Sequence, residues 1–252
     1  MKTITFIGNG NMALSIAKGL KNRYTIEVVG RNLDKLDKFE KDLGITIQKH
    51  LLEGFDTTDK TVLLCVKPAN VEEISQLIKG RARVIFSVLA GTSVEKLRTN
   101  LNPHAVVRTM PNLAASVNKS MTTLTGDIEF KEEAQKVLGA IGATRWLSSE
   151  KEINIATALA GSGPAYLALI SEALTDGAVK QGLKRDDAMA IMRGLFGGFG
   201  VLIQDIHPAL LKDGVMSPGG TTAAGYGALE DGNVRSACMS AIEKAYTKAT
   251  QL

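Results

Sequence analysis

The chain has 252 residues, and 30 Lys and Arg residues against 26 Asp and Glu residues give it a formal net charge of +4. A chain of this length can bury a core without disulfides or metals, and its 44% apolar and 22% charged residues are near the globular averages. The composition therefore excludes disordered, collagen-like and disulfide-framework proteins, and the scarcity of basic blocks and aromatic residues argues against a nucleic-acid partner.

Short β-branched runs alternate with helical patterns up to about residue 150. The apolar runs are continuous rather than alternating, which is typical of parallel strands covered on both faces. This pattern predicts an α/β fold with a doubly wound, Rossmann-type sheet in residues 1–150. The predicted strands are 3–7, 25–29, 61–66, 83–88 and 105–108, and the predicted helices are 12–21, 33–42, 71–79 and 94–99.

Helical patterns replace the strands after Trp146, with helices predicted at 153–160, 165–182, 186–205, 222–231 and 234–250. Apolar residues cover most of the circumference of these helices, more than a small bundle can bury alone. We therefore expect residues 151–252 to form an all-helical domain that makes a homodimer, with a higher oligomer left open.

One uncharged stretch, 153–171, is long enough to cross a bilayer. Gly161, Ser162, Gly163 and Pro164 interrupt it, so we interpret it as a pair of fully buried helices and expect no membrane association. The uncharged stretch 3–17 is interpreted as a strand, a loop and a helix start rather than as a signal peptide.

Cysteines and histidines show no metal or disulfide spacing. Cys65 and Cys238 lie far apart, which is typical of reduced thiols and favours a cytoplasmic location. His50, His104 and His207 are scattered, so no metal site is predicted.

A dinucleotide fingerprint follows the first predicted strand, because Gly8, Gly10 and Ala13 have the G-x-G-x-x-G/A spacing. The first glycine permits a tight turn, and the second lets the backbone approach a pyrophosphate at the helix N-terminus. The position favours a cofactor site over a plain strand-to-helix turn. The predicted contacts are Ile7, Gly8, Asn9, Gly10, Asn11 and Met12.

The second predicted strand indicates which dinucleotide is bound. NAD-preferring sites carry an acid about 20 residues beyond the fingerprint, where this chain has Gly30 and Arg31. Arg31, with Asn32 and Lys35 as helpers, favours the 2′-phosphate of NADPH. In the alternative, which allows NADH, Arg31 is a solvated loop residue and Glu27 binds the ribose.

Two further strand ends should approach the same cofactor, because ligands collect at the carboxyl ends of parallel strands. Lys67 would contact a phosphate or the nicotinamide ribose, or else be an exposed residue before a turn proline. The residues predicted here are Cys65, Val66, Lys67, Pro68, Leu89, Ala90 and Gly91.

The substrate is predicted to bind in the helical half. Gly219 and Gly220 directly precede a predicted helix, a pattern that can turn backbone N–H groups towards a carboxylate, and Thr222 adds a hydroxyl. In the alternative, Ser217 simply caps the helix. The motif 161–166 is interpreted as a cap and kink, with a direct substrate role left open, and the loop 108–112 is expected to face the substrate cleft.

No catalytic triad, carboxylate pair or metal cluster competes for the chemistry. Ketone reduction by hydride needs a proton donor, whereas a protonated C=N bond needs only hydride and orientation. The pattern therefore favours an imine substrate that carries a carboxylate.

The motifs 8–13, 66–68, 110–112, 161–166 and 217–222 together resemble the pyrroline-5-carboxylate reductases in order and approximate spacing. The resemblance covers essentially the whole chain and implies NAD(P)H-dependent reduction of 1-pyrroline-5-carboxylate to L-proline by an intertwined helical dimer. It also implies that Ser217, Gly219, Gly220 and Thr221 hold the substrate carboxylate. The catalytic residue would be Thr222, whose hydroxyl binds the ring nitrogen.

The chain departs from the family pattern at Leu113 and Ala114, at Asn118 and Lys119, and in the glycine-rich stretch 223–227. Two kinds of alternative remain. One is a related NADP-dependent reductase of another cyclic imine or of a β-hydroxy acid, although 153–171 lacks the lysine that β-hydroxy acid enzymes carry there. The other is a non-catalytic NADP-binding sensor.

Overall fold

Eight strands form one sheet in the N-terminal part of the chain, and the computed structural model describes residues 1–251. The strands are β1 (Thr3–Ile7), β2 (Thr25–Gly30), β3 (Gln48–Leu51), β4 (Thr61–Leu64), β5 (Val84–Ser87), β6 (Val106–Met110), β7 (Ser120–Gly126) and β8 (Gly142–Trp146). Their order is β3-β2-β1-β4-β5-β6-β7-β8, and all neighbours are parallel except β6 and β7. The order reverses between β1 and β4, and a doubly wound sheet binds its ligand at this switch point.

The sheet is covered on both faces, as the continuous apolar runs predict. Phe6 and Leu63 pack on one face with the helices α1 (Asn11–Leu20), α2 (Leu33–Leu43) and α5 (Lys131–Leu138). Their chain neighbours Ile7 and Leu64 pack on the other face with α3 (Val71–Leu77) and α4 (Val94–Leu101). Successive strand residues point to opposite faces, so each run supplies both halves of the core.

All five predicted strands are present, whereas β3, β7, β8 and α5 were not predicted. The two edge strands β3 and β8 have only half-buried or exposed residues and carry no apolar run. The interior strand β7 is rich in threonine. Thr122 and Thr125 are buried, and their hydroxyl groups are hydrogen-bonded within the protein. A threonine-rich run gives no hydrophobic signal in the sequence.

The C-terminal part is helical, as predicted. It contains α6 (Glu150–Ala156), a π-helical turn (Thr157–Gly161), α7 (Gly163–Lys180), α8 (Arg185–Asp205), α9 (Pro208–Val215), α10 (Thr221–Asp231) and α11 (Val234–Ala249). The helix α9 was not predicted.

The regular α-helix is interrupted near the predicted position 161–164, although the chain stays broadly helical from Glu150 to Lys180. The π-helical turn absorbs the irregularity, and the Ser162 N–H donates to the Thr157 carbonyl at 3.1 Å. Pro164 lies in the first turn of α7, where its missing N–H costs little.

The prediction that 153–171 is fully buried is also wrong for a single chain. Only 11% of the most apolar window of Glu150–Lys180 is buried, and by length and composition this helix could cross a membrane. A helix covered by a partner subunit has the same composition. Large apolar side chains are exposed on α7 and α8 as well, including Leu169 (65%), Ile191 (61%) and Val201 (71%).

Contacts within the chain define two compact units. One comprises residues 1–162 together with the residues from Lys244 onwards, and the other comprises residues 163–243. The helix α6 belongs to the first unit because it packs against β7. The predicted domain boundary after residue 150 therefore lies 12 residues before the boundary between the two compact units, and the assignment of a function to each domain stays a prediction.

Candidate cofactor and substrate sites

Gly8 makes the turn between β1 and α1, and no other residue fits there. Its φ is +107°, in the region that favours glycine, and its N–H donates to the Val29 carbonyl at 2.9 Å. A Cβ at this position would lie 2.5 Å from the carbonyl oxygen of Cys65. The turn brings the chain close to the end of β4.

Gly10 leaves the start of α1 open. It is the N-cap residue, without a side-chain cap, and the first turn of α1 contains no acidic residue. A Cβ on Gly10 would meet no protein atom within 4 Å. The first N–H groups of the helix have no partner inside it, and such an N-terminus is suited to bind a phosphate.

A cavity of about 490 Å³ opens at this edge of the sheet, beside the switch point. It brings together nine of the fifteen residues predicted to bind the cofactor, which are Ile7, Gly8, Asn9, Gly10, Arg31, Asn32, Cys65, Val66 and Lys67. Lys35, the predicted helper, lines it too, and so do Val29, Gly30, Leu52, Asn70 and Ile74. The roles of these residues in binding stay predictions.

Six predicted residues do not line this cavity. Asn11 and Met12 begin α1, and Pro68 begins a short 3₁₀ turn after β4. Leu89, Ala90 and Gly91 follow β5 at the same sheet edge, but the side chain of Leu89 is buried in the core. Leu89 therefore offers little accessible surface to a ligand.

The cavity is electrically positive, because its lining residues include Arg31, Lys35 and Lys67 but no carboxylate. Glu27, the alternative ribose ligand, lines a different cavity with Lys2 and Arg83, near the starts of β1 and β4. The buried Glu27 carboxylate accepts hydrogen bonds from Thr5 and, at 3.0 Å, from Lys60. Its position does not support the alternative that it binds the ribose.

Arg31 and Asn32 already have partners within the chain. The Arg31 guanidinium forms an ion pair of 2.7 Å with Glu73, and both side chains are about half exposed. Asn32 is the N-cap of α2, where its side-chain oxygen accepts from the Lys35 N–H at 3.0 Å. The Asn32 side chain is used to cap α2, whereas the exposed ion pair of Arg31 can open, so Arg31 is the more available of the two to a ligand.

Cys65 lines the cavity as a neutral thiol. Burial raises the pKa of this thiol well above its ordinary value, so it carries no charge at neutral pH. Among the described residues, no group of three or more His, Cys, Asp or Glu side chains is placed to hold a metal ion.

The predicted substrate segment forms a turn followed by a helix. The Gly220 N–H donates to the Ser217 carbonyl at 3.0 Å, and Gly219 has φ +70°. With Pro218 before it, this is the pattern of a type II turn. A Cβ on Gly220 would lie 2.4 Å from the Ser217 hydroxyl oxygen, so glycine lets that hydroxyl lie against the start of α10.

The start of α10 resembles that of α1. The N-cap is Gly220, without a side-chain cap, and the first turn contains no acid, so the alternative in which Ser217 caps the helix is wrong. The N–H of Gly220 is used inside the turn, whereas those of Thr221, Thr222 and Ala223 precede the first intrahelical bond, from Ala224 to Gly220 at 3.2 Å. Thr221 and Thr222 are exposed.

Arg108, predicted to start a loop facing the substrate cleft, lies within β6 and is buried. Its buried guanidinium donates to Glu150 at 2.9 Å and to Asn154 at 2.8 Å, both on α6. The same Glu150 oxygen accepts from the Val94 N–H at the start of α4, also at 2.9 Å. Arg108 therefore ties β6 to α6, and Glu150 in turn ties α6 to the start of α4.

Asn112 follows β6 and contacts the residue just before the motif 161–166. Its side-chain amide donates to the Ala160 carbonyl at 3.0 Å, within the π-helical turn. The bond holds the π-helical turn against the end of β6, and the role of the motif itself stays a prediction.

Four residues at or beside the cavity were not predicted from the sequence, namely Leu52, Asn70, Ile74 and Glu73. Leu52 follows the unpredicted strand β3, and the other three depend on where α3 packs. Only Asn70 could have been inferred locally, because it lies three residues beyond Lys67, which was predicted to contact the cofactor.

Two family models match the chain. The one described as pyrroline-5-carboxylate reductase dimerisation matches residues 150–252, and the one described as NADP oxidoreductase coenzyme F420-dependent matches residues 3–91. The pyrroline-5-carboxylate reductase of Synechocystis is 33% identical, with 98% of this chain and 96% of the relative covered.

Solved structures show the same architecture. The 1-pyrroline-5-carboxylate reductase of Streptococcus pyogenes is 30% identical, with a TM-score of 0.86 over 99% of this chain and 98% of the other. The Plasmodium falciparum pyrroline carboxylate reductase, solved with NADP bound, shares the fold at 22% identity, with a TM-score of 0.80 over 99% and 97% of the two chains. Because a third of the residues are identical to a reductase over nearly the full length of both proteins, the chain belongs to the pyrroline-5-carboxylate reductase family.

Proposed function

We propose that this chain reduces 1-pyrroline-5-carboxylate to L-proline with a hydride from NADPH. The observation that carries this conclusion is the match to pyrroline-5-carboxylate reductases along nearly the whole chain. The two glycine-capped, acid-free helix starts at α1 and α10 supply the anion sites that a phosphorylated cofactor and a carboxylate substrate require.

On the cofactor side, the pyrophosphate would lie against Gly10 and the first N–H groups of α1. Arg31 and Lys35 would bind the 2′-phosphate, and Lys67 a phosphate or the nicotinamide ribose. The positive cavity and the NADP bound by the Plasmodium falciparum relative support NADPH, with NADH as the weaker alternative. Residues 1–150 would then act as the cofactor domain.

On the substrate side, the carboxylate would bind at the start of α10, beside Ser217 and the turn of Gly219 and Gly220. The hydroxyl of Thr222 would hydrogen-bond the ring nitrogen. Bound NADPH supplies the hydride, which adds to the imine carbon while the electrons of the C=N bond pass to the protonated nitrogen. No further acid is needed, because that nitrogen already carries its proton.

We also propose that residues 151–252 form a substrate and dimerisation domain. The dimerisation family model covers these residues, and the exposed apolar side chains of α7 and α8 require a cover. Cys65 and Cys238 are both free thiols, which supports a cytoplasmic location. A higher oligomer is compatible with the same helices.

The test is an assay of NADPH oxidation with 1-pyrroline-5-carboxylate, run beside piperideine carboxylates, with the oxidation of short β-hydroxy acids by NADP⁺ as a separate arm. Efficient turnover of the pyrroline with formation of proline supports the proposal. Turnover confined to another substrate would establish a related reductase instead. Tight binding of NADPH without any turnover would establish a cofactor sensor.

A further inference from the structure

Glu73 is a negatively charged residue beside an otherwise positive cavity. It lies on α3 between Asn70 and Ile74, which both line the cavity, and its carboxylate is 2.7 Å from the Arg31 guanidinium. Arg31 comes from the end of β2. The ion pair thus joins two elements that border the cofactor cavity.

Glu73 occupies the Arg31 guanidinium, which is the group that the 2′-phosphate of the proposed cofactor would bind. A phosphate monoester such as the 2′-phosphate carries about two negative charges at neutral pH, and it binds best to the fork of a free guanidinium. Glu73 takes up one nitrogen of that fork, Nη2, and adds a negative charge next to the incoming phosphate. NADH has a hydroxyl in place of the phosphate and meets neither obstacle.

The pair is weak enough to be displaced. Both side chains are about half exposed, with 50% and 54% of their surfaces accessible, and exposed ion pairs are screened by water and salt. Glu73 therefore opposes the 2′-phosphate without blocking it.

We propose that Glu73 is a cofactor-discriminating residue, which pairs with Arg31 and thereby lowers the preference of this chain for NADPH over NADH. The inference rests on the proposed function, because it requires Arg31 to read the 2′-phosphate. It adds that the preference is set by competition between two anions for one guanidinium.

The test measures dissociation constants of NADPH and NADH by fluorescence titration, without substrate. Glu73→Gln keeps the shape of the side chain and removes its charge, and we expect it to bind NADPH about two- to fivefold more tightly, with NADH unchanged. Glu72→Gln is the matched control, since Glu72 is an exposed neighbour on the same helix and loses the same charge. In an Arg31→Ala background, Glu73→Gln should give no further gain.

Three results would overturn the inference. They are weaker NADPH binding in Glu73→Gln, a gain no larger than that of Glu72→Gln, and a gain that persists without Arg31. Failure of the proposed function would look different, since Arg31→Ala would then weaken NADPH and NADH equally, or 1-pyrroline-5-carboxylate would not be turned over. A selective loss in Arg31→Ala with no gain in Glu73→Gln would overturn the role of Glu73 alone.

Discussion

Replacing each of the two fingerprint glycines by alanine should separate folding from cofactor binding. Gly10 has φ −80° and ψ −177°, which alanine adopts without strain, and its added Cβ meets no protein atom within 4 Å. The small loss from a poorer N-cap is offset by the reduced entropy of the unfolded chain, so the free energy of unfolding should change by less than about 0.5 kcal/mol.

Binding of NADPH by Gly10→Ala should nevertheless be weak. The methyl group would fill the space that the pyrophosphate needs and hold it away from the N–H groups of α1. Losing one charge-assisted hydrogen bond costs about 1.5–3 kcal/mol, which corresponds to about a tenfold to hundredfold weaker affinity. Fluorescence titration gives the affinity, and urea unfolding without cofactor gives the stability.

Gly8→Ala is the contrasting variant. A left-handed φ costs alanine about 1–2 kcal/mol, and a Cβ 2.5 Å from the Cys65 carbonyl oxygen forces the backbone to shift, so we expect a total loss of about 3 kcal/mol. Wild-type affinity for NADPH in Gly10→Ala would refute the placement of the pyrophosphate. Wild-type stability in Gly8→Ala would refute the account of the turn.

Three further variants test other parts of the molecule. Thr222→Val should lower kcat by about a hundredfold in the NADPH oxidation assay, with little change in NADPH affinity, and unchanged turnover would exclude Thr222 as the imine ligand. Arg31→Ala should weaken NADPH binding and spare NADH, and equal losses for both cofactors would show that Arg31 does not read the 2′-phosphate. Arg108→Met should lower the free energy of unfolding by about 2 kcal/mol in urea, because it removes the buried donor to Glu150 and Asn154. A loss below about 0.5 kcal/mol would contradict the structural role assigned to Arg108.

Most of the residues that line the cavity at the sheet edge could be predicted from local signals in the sequence, while their role in cofactor binding stays a prediction. The glycine spacing follows directly from a turn that must pass close to the end of β4, and Arg31 follows from the end of β2. The continuous apolar runs predict burial on both faces of the sheet. Each of these features leaves a recognisable pattern within a few neighbouring residues of the sequence, even where its structural cause lies further along the chain.

Features that depend on packing at a distance could not be predicted in the same way. The partners of Arg108 lie more than 40 residues further along the chain, so nothing near Arg108 distinguishes a buried clamp from a cleft residue. Glu73 is likewise separated from Arg31 by 42 residues. At 161–164 the glycines and the proline suggested a break, whereas a change of helical hydrogen bonding was sufficient to accommodate them.

The apolar side chains exposed on α7 and α8 link the stability of this protein to its concentration. If association covers Leu169, Ile191 and Val201, mass action makes the native state a property of the pair of subunits rather than of one chain. The temperature of unfolding should then rise with protein concentration, and dilution should weaken the helical half before the sheet. Such a reductase would be least stable at low concentration, for example just after synthesis, before a new chain has associated with a partner subunit.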